Sequence, residues 1–291
     1  MKLAAVCAYF NPCGYESRRR NYDAFRKNLE GSGIELLTVE LVFDNDRSSE
    51  LGAYGNVESI RGGDMMWQKE RLLQLGIDRL LTDGHDAIAW LDADIVFENK
   101  VWHQNVLRAL EDFDYVQSFD RLVSHYPEGQ LVRTGAARDH SSWAHGGSWA
   151  GRRDFWQRFK LYQYCILGGG DTVMANVALQ LSESQTGAFQ WPLENIVLNQ
   201  INMPMREHIA VWARDTWDGW RVGYVADQAA HLLPHGCRRR RYHVERWQAL
   251  TNYDPRTDVV VSDSGAFRWS SDKPRLHESV RSYFAARRED E

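Results

Sequence analysis

Residues 87–97 read Ala-Ile-Ala-Trp-Leu-Asp-Ala-Asp-Ile-Val-Phe, an unbroken apolar run that passes straight into two carboxylates. Five consecutive apolar residues are too few for a buried helix and fit a strand covered on both faces. Strand side chains alternate, so Asp92 and Asp94 can project to one side, about 7 Å apart at roughly 3.3 Å per residue. Two carboxylates at the exit of a buried strand are costly without a cation. A hard divalent ion such as Mn²⁺ or Mg²⁺ takes oxygen ligands and relieves that repulsion. In open α/β sheets ligands bind beyond the carboxyl ends of the strands, which is where this pair falls. The plainer alternative is a strand that ends in an acidic turn.

The flanking sequence alternates short apolar runs with helical periodicity. Leu3–Tyr9 and Ile34–Phe43 read as strands, and 18–29 as a helix with Tyr22, Phe25 and Leu29 on one face. Residues 64–81 read as a second helix striped by Met66, Leu73, Ile77 and Leu80, with Asp64 as a candidate cap. Such alternation predicts a mostly parallel sheet with helices on both faces. Residues 119–150 show little periodicity and are expected to form a long loop, of a length that is usually functional or mobile. Helices are expected over 171–181 and 193–211, a late strand over 221–231, and helical stretches near 240–250 and 274–288. The division expected is a main domain of residues 1–235 and a helical extension, 236–291, packed on it.

Composition removes several classes. Lys and Arg total 35 and Asp and Glu 40, a net charge of −5, so no overall basic field grips nucleic acid. No apolar stretch reaches the ~18 residues of a membrane span. The N-terminal run ends at Asn11-Pro12 without a small-residue cleavage site, so it reads as a core strand rather than a signal peptide. Cys7, Cys13, Cys165 and Cys237 form no closely spaced pair and read as reduced thiols, which suggests a cytoplasmic protein. The 12 tryptophans suit a core, an interface or the apolar face of a sugar.

Three further segments carry chemistry-bearing residues. Small residues surround Trp149 in His145-Gly-Gly-Ser-Trp-Ala-Gly, and Gly168-Gly169-Gly170 leads into Asp171. Asp171 reads either as a helix cap or as a general base. His231 and His235 precede Arg238–Arg241, of which one or two can meet a phosphate by bidentate contacts. Arg18-Arg19-Arg20 forms a second basic run. Neutral imidazole at His235 would favour Mn²⁺ over Mg²⁺.

With these motifs in this order, residues 1–245 resemble nucleotide-sugar-dependent glycosyltransferases of the GT-A fold, whose D-x-D element Asp92-Ala-Asp94 matches. The resemblance implies a GT-A-like (Rossmann-like) mixed sheet and a donor that is a nucleotide sugar, most simply UDP-linked. It implies that Asp94, His235 and Asp92 hold the metal, Asp94 directly and Asp92 also through water or the ribose. Tyr9, Asn11, Arg61, Lys69, Asp92 and Arg241 would border the donor. Trp149, Gly169 and Gly170 would meet the acceptor, and Asp171 would deprotonate its hydroxyl for an inverting transfer. Gly170 departs from the family, which commonly carries an acidic residue there.

Three alternatives stand beside this reading. A phage-type transferase acting on DNA bases would use the arginine runs. Asp92-Ala-Asp94-Ile-Val also fits the motif of haloacid-dehalogenase-like phosphatases, although that motif usually closes the first strand. A non-catalytic sugar-binding module would use the tryptophans alone.

Overall fold

The structure is a computed structural model that describes residues 1–291 except 44–46, 185–188, 193, 194, 196, 197 and 243. In chain order the elements begin β1 (Leu3–Phe10), α1 (Glu16–Leu29), β2 (Glu35–Val42), β3 (Val57–Arg61), α2 (Lys69–Thr82), β4 (Ala87–Leu91) and β5 (Ile95–Phe97). Then follow α3 (Trp102–Asp112), β6 (Tyr115–Gln117), β7 (Arg121–Tyr126), β8 (Gly129–Thr134), β9 (Ser148–Arg152), α4 (Arg153–Arg158), α5 (Gly170–Glu183) and α6 (Met203–Thr216). The chain closes with β10 (Val222–Tyr224), β11 (Ala229–Leu232), β12 (Val259–Val261), β13 (Phe267–Trp269) and α7 (Pro274–Ala286).

Among the described residues, the main sheet has the order β10-β6-β9-β4-β1-β2-β3, and β9 runs antiparallel to both its neighbours while the others are parallel. This is the mixed, mostly parallel α/β sheet flanked by helices that the sequence led one to expect. Its central strands read as continuous apolar runs because both faces are covered. On β1, Ala4, Val6, Ala8 and Phe10 enter one core, which includes Leu73 and Ile77 of α2. The alternate residues Leu3, Ala5, Cys7 and Tyr9 enter the other, with Tyr22 and Phe25 of α1 and Trp102 of α3. A second sheet, β5-β11-β7-β8, stands at one end of the first. No helix among the described residues is long and apolar enough to cross a membrane, and all four cysteines are free thiols.

Several expectations are corrected. The second helix starts at Lys69 rather than Asp64. Gly62 and Gly63 take positive φ, and Gln68 and Asp64 instead bind the backbone of Phe267 and Trp269. The supposed loop 119–150 contains the hairpin β7–β8 and leads into β9; its strands are short, and β8 is mostly solvent-facing, so their apolar period is weak. Residues 221–231 split between β10 and β11, which belong to different sheets. Residues 238–241 and 245–250 form 3-10 turns, and the β12–β13 hairpin means that residues 236–291 are not wholly helical. The expected helix over 193–211 falls partly outside the described residues, and α6 begins at Met203 behind an Asn202 cap.

Strand pairing then delivers the acidic residues. β4 lies beside β1 with Leu91 opposite Cys7, so Asp92 emerges next to the carboxyl end of β1. β9 pairs antiparallel with β4, Ser148 opposite Leu91, which brings the preceding Gly147 alongside Asp92. The Asp92 N–H donates to the Gly147 carbonyl (2.8 Å), and the Gly147 N–H donates to Asp92 Oδ2 (3.1 Å). Farther on, β5 pairs with β11, and the Leu233 N–H donates to the Asp94 carbonyl (2.9 Å). That register carries His235 to Asp94.

Candidate active site

A cavity of about 810 Å³ opens at this carboxyl edge. Tyr9, Lys69, Asp92, Asp94, Gly169, Asp171, His235 and Arg241 all line it. Asp94 Oδ2 lies 2.9 Å from His235 Nδ1, and Arg241 contacts the same imidazole. Burial pushes the Asp94 carboxyl up, but His235 and Arg241 outweigh it and hold it below the usual carboxylate range. Asp92 behaves oppositely: burial and the neighbouring Asp94 and Asp171 raise it, against the pull of Lys69.

Lys69, the first residue of α2, joins the acidic groups. Its ammonium is 2.9 Å from Asp92 Oδ1 and 3.6 Å from Asp171 Oδ2, and it stands over the Trp90 ring. Lys69, expected to border the donor, lines the cavity and bridges two of its carboxylates. Burial also raises Asp171, but Lys69, His145 and Arg246 together lower it, so it is a carboxylate at neutral pH. Asp171 is not the cap of α5. Gly169, at φ +91°, caps the helix, and Asp171 accepts from the Thr172 N–H within its first turn (2.8 Å). The glycines have a steric reason: a Cβ at Gly146 would overlap the Asp171 carboxylate, and one at Gly170 would overlap the Glu70 carboxyl.

The chemistry of the donor set fits a divalent ion in one respect and departs from expectation in another. Asp94 and His235 present one carboxylate and one imidazole to the cavity, a pair suited to Mn²⁺. Among the described residues no cluster of three or more His, Cys, Asp or Glu side chains is disposed to hold a metal. Asp92 does not join the pair, because Lys69 and the Gly147 N–H engage its oxygens.

Other expected contacts also move. Trp149 is 1% exposed, stacks on Tyr115 with centroids 4.7 Å apart, and donates from Nε1 to the His145 carbonyl (2.8 Å). It is a core residue, not a sugar platform, because β9 points it into the interior beneath the site. Replacing Trp149 with Phe is expected to cost about 2 kcal/mol through the lost hydrogen bond and the void left behind. Urea unfolding measures this; a sugar platform would instead leave stability intact and raise the acceptor KM. Arg61 does not line the cavity; it donates to the Arg47 carbonyl (2.8 Å). Asn11 holds the Tyr15 backbone and Glu50, and Gly170 lies behind the wall. His231 faces away, paired with Glu98 and His125.

The structure adds residues that the sequence reading missed. Trp143, 50% exposed, lines the cavity, as do His145, Arg133, Arg246, Arg287 and Glu289. His145 is pushed by burial down to about 4 and is neutral at pH 7. Glu70 is fully buried, and among the described residues neither carboxyl oxygen has a hydrogen-bond partner. One signal for it existed: position 70 completes the stripe Met66, Leu73, Ile77, Leu80 at spacings of four and three. In the basic runs, Arg18 pairs with Glu289 (2.6 Å), while Arg238 and Arg241 share the cavity face because residues three apart eclipse on a 3-10 turn.

No family model matches this chain, and no curated protein matches it. Among solved structures it is similar to S. aureus TarS residues 1–349, at 10% identity and a TM-score of 0.44, covering 86% of this chain and 65% of that one. The chain therefore spans slightly less than two thirds of that structure's length. It is also similar to a putative nucleotide-diphospho-sugar transferase from Desulfovibrio desulfuricans G20 (13% identity, TM-score 0.38, covering 100% of this chain and 99% of that one). A third similarity is to a Drosophila beta-1,4-galactosyltransferase 7 mutant in complex with manganese, UDP-Gal and xylobiose (13% identity, TM-score 0.42, covering 95% and 99%).

Proposed function

We propose that this protein is a metal-dependent glycosyltransferase that moves a sugar from a nucleotide diphosphate, UDP-linked in our reading, to a hydroxyl acceptor with inversion. The observation that carries this reading is the convergence of Asp94 and His235 at the sheet's carboxyl edge, across a cavity that also presents Asp171 and Arg241. Residues 1–235 would form the catalytic unit, with 236–291 supplying Arg238, Arg241 and Arg246 to its wall. The free cysteines accord with a reducing, cytoplasmic setting.

Asp94 and His235 would hold Mn²⁺ or Mg²⁺, which when bound neutralises charge on the leaving diphosphate. Arg241, beside His235, would hold the same diphosphate by charge-assisted hydrogen bonds. Tyr9 lines the cavity at the exit of β1 and would border the donor there. Lys69 bridges Asp92 and Asp171 and helps to keep Asp171 ionised. Asp171 would take the acceptor proton as the acceptor oxygen bonds to the anomeric carbon. The bond from that carbon to the phosphate oxygen breaks, and its electron pair leaves on the diphosphate. Gly169 lets Arg246 and Trp247 pack against the start of α5, since a Cβ there would meet both.

Calorimetric titration with UDP tests the donor half. Mn²⁺ is expected to tighten binding at least tenfold, EDTA to reverse the gain, and Asp94→Asn to lose it. UDP binding that ignores Mn²⁺, or an Asp94→Asn protein that keeps the full gain, would remove the metal assignment.

A further inference from the structure

The arginines around the cavity fall into two groups with different electrostatic states. Arg18 and Arg287 share the buried carboxylate of Glu289, so their charge is already answered by the protein. Arg133 on β8, Arg238 and Arg241 on the 3-10 turn, and Arg246 have no carboxylate salt-bridge partner among the described residues. Arg133 donates only to neutral groups, the Trp143 carbonyl (3.2 Å) and Ser124 Oγ (2.8 Å). The Nε–H groups of Arg133, Arg241 and Arg246 are buried with no hydrogen-bond partner among the described residues. Burial lowers the Arg133 guanidinium, and Arg241 and Arg238 push it in the same direction. Like charges gathered around one cavity cost free energy that a bound anion would recover.

The position of this group distinguishes two uses. Arg241 stands at the His235–Asp94 end, where the donor diphosphate would lie. Arg133 stands beside the segment that borders Asp171: its guanidinium anchors the backbone of the half-exposed Trp143, and Gly146, three residues on, abuts the Asp171 carboxylate. We infer that Arg133, supported by Arg238, forms an anion subsite for the acceptor, which selects a hydroxyl compound bearing a phosphate ester, with Trp143 as the adjoining apolar wall. This rests on the transferase reading and names the acceptor class of the same cavity.

The test uses the full chain, saturated with UDP and Mg²⁺, titrated with glycerol 3-phosphate and separately with glycerol. Glycerol 3-phosphate is expected to bind at least tenfold more tightly. Arg133→Gln and, at an exposed position, Arg238→Gln should each weaken it several-fold while UDP affinity stays within threefold. Arg238→Gln keeps the test open where Arg133→Gln disturbs the β7–β8 hairpin. Equal binding of glycerol and its phosphate, or a UDP affinity that falls in step with the phosphate, would overturn the subsite. If UDP fails to bind yet glycerol 3-phosphate binds through Arg133, the anion subsite stands and the nucleotide-sugar reading falls.

Discussion

Asp171→Asn is expected to slow sugar transfer by about 10² to 10⁴-fold, the usual contribution of a positioned general base, while Mn²⁺-dependent UDP binding stays within threefold. Asparagine keeps the shape of the side chain and its capacity to accept from the Thr172 N–H, so the first turn of α5 is retained. What is lost is the site that receives the acceptor proton. Lys69 and Arg246 beside Asp171 keep it ionised in the wild type, so it needs no activation by pH. The measurement is a transfer assay at saturating donor, read beside calorimetry of the Mn²⁺–UDP complex. Transfer at the wild-type rate would exclude Asp171 as the base. Loss of UDP binding together with transfer would place it among the donor contacts.

The second large effect concerns stability. Burial raises the Glu70 carboxyl from its ordinary 4.5 to about 7; Asp171 and Asp92 push it the same way, and Lys69 opposes them. Its folded state therefore keeps a proton that the unfolded chain releases near 4.5. The sign follows by linkage: stability falls as pH rises from about 4.5 to about 7 and is flat beyond. At roughly 1.4 kcal/mol per pH unit, that gap makes the ionised side chain about 3 kcal/mol unfavourable above pH 7. Glu70→Gln does not titrate. Relative to wild type it should gain about 3 kcal/mol between pH 4.5 and pH 8, read as the change in the mutant–wild-type difference from urea unfolding at the two pH values. A difference that does not move with pH would show that Glu70 is ionised in the folded chain. Glutamine's own unpaired amide shifts both ends equally and leaves that change intact.

The fold class was legible because both faces of the central strands are buried, so β1 and β4 appear as uninterrupted apolar runs. The Asp92/Asp94 pair was legible for the same reason: charge directly after such a run has to lie at the sheet's edge. The hairpin β7–β8 was not, since half-exposed strands carry little periodic signal. Trp149 was misread because a strand residue's face is set by pairing, here by β9 lying antiparallel between β4 and β6. A run of small residues around a tryptophan reads the same whether the ring packs inward or meets a ligand.

Sequence by itself determined which residues could carry the chemistry: the two aspartates, Asp171, His235 and the arginines of 238–241. Their types and local spacing are covalent facts. Only the tertiary structure decided which of them meet. His235 reaches Asp94 across 141 residues of chain (235 − 94) through the β5–β11 pairing. Lys69 joins Asp92 to Asp171, and among the described residues Arg133 is left without an acidic partner while Arg18 and Arg287 find Glu289. The physical reason is that electrostatic state depends on distance and burial, which no short window of sequence contains.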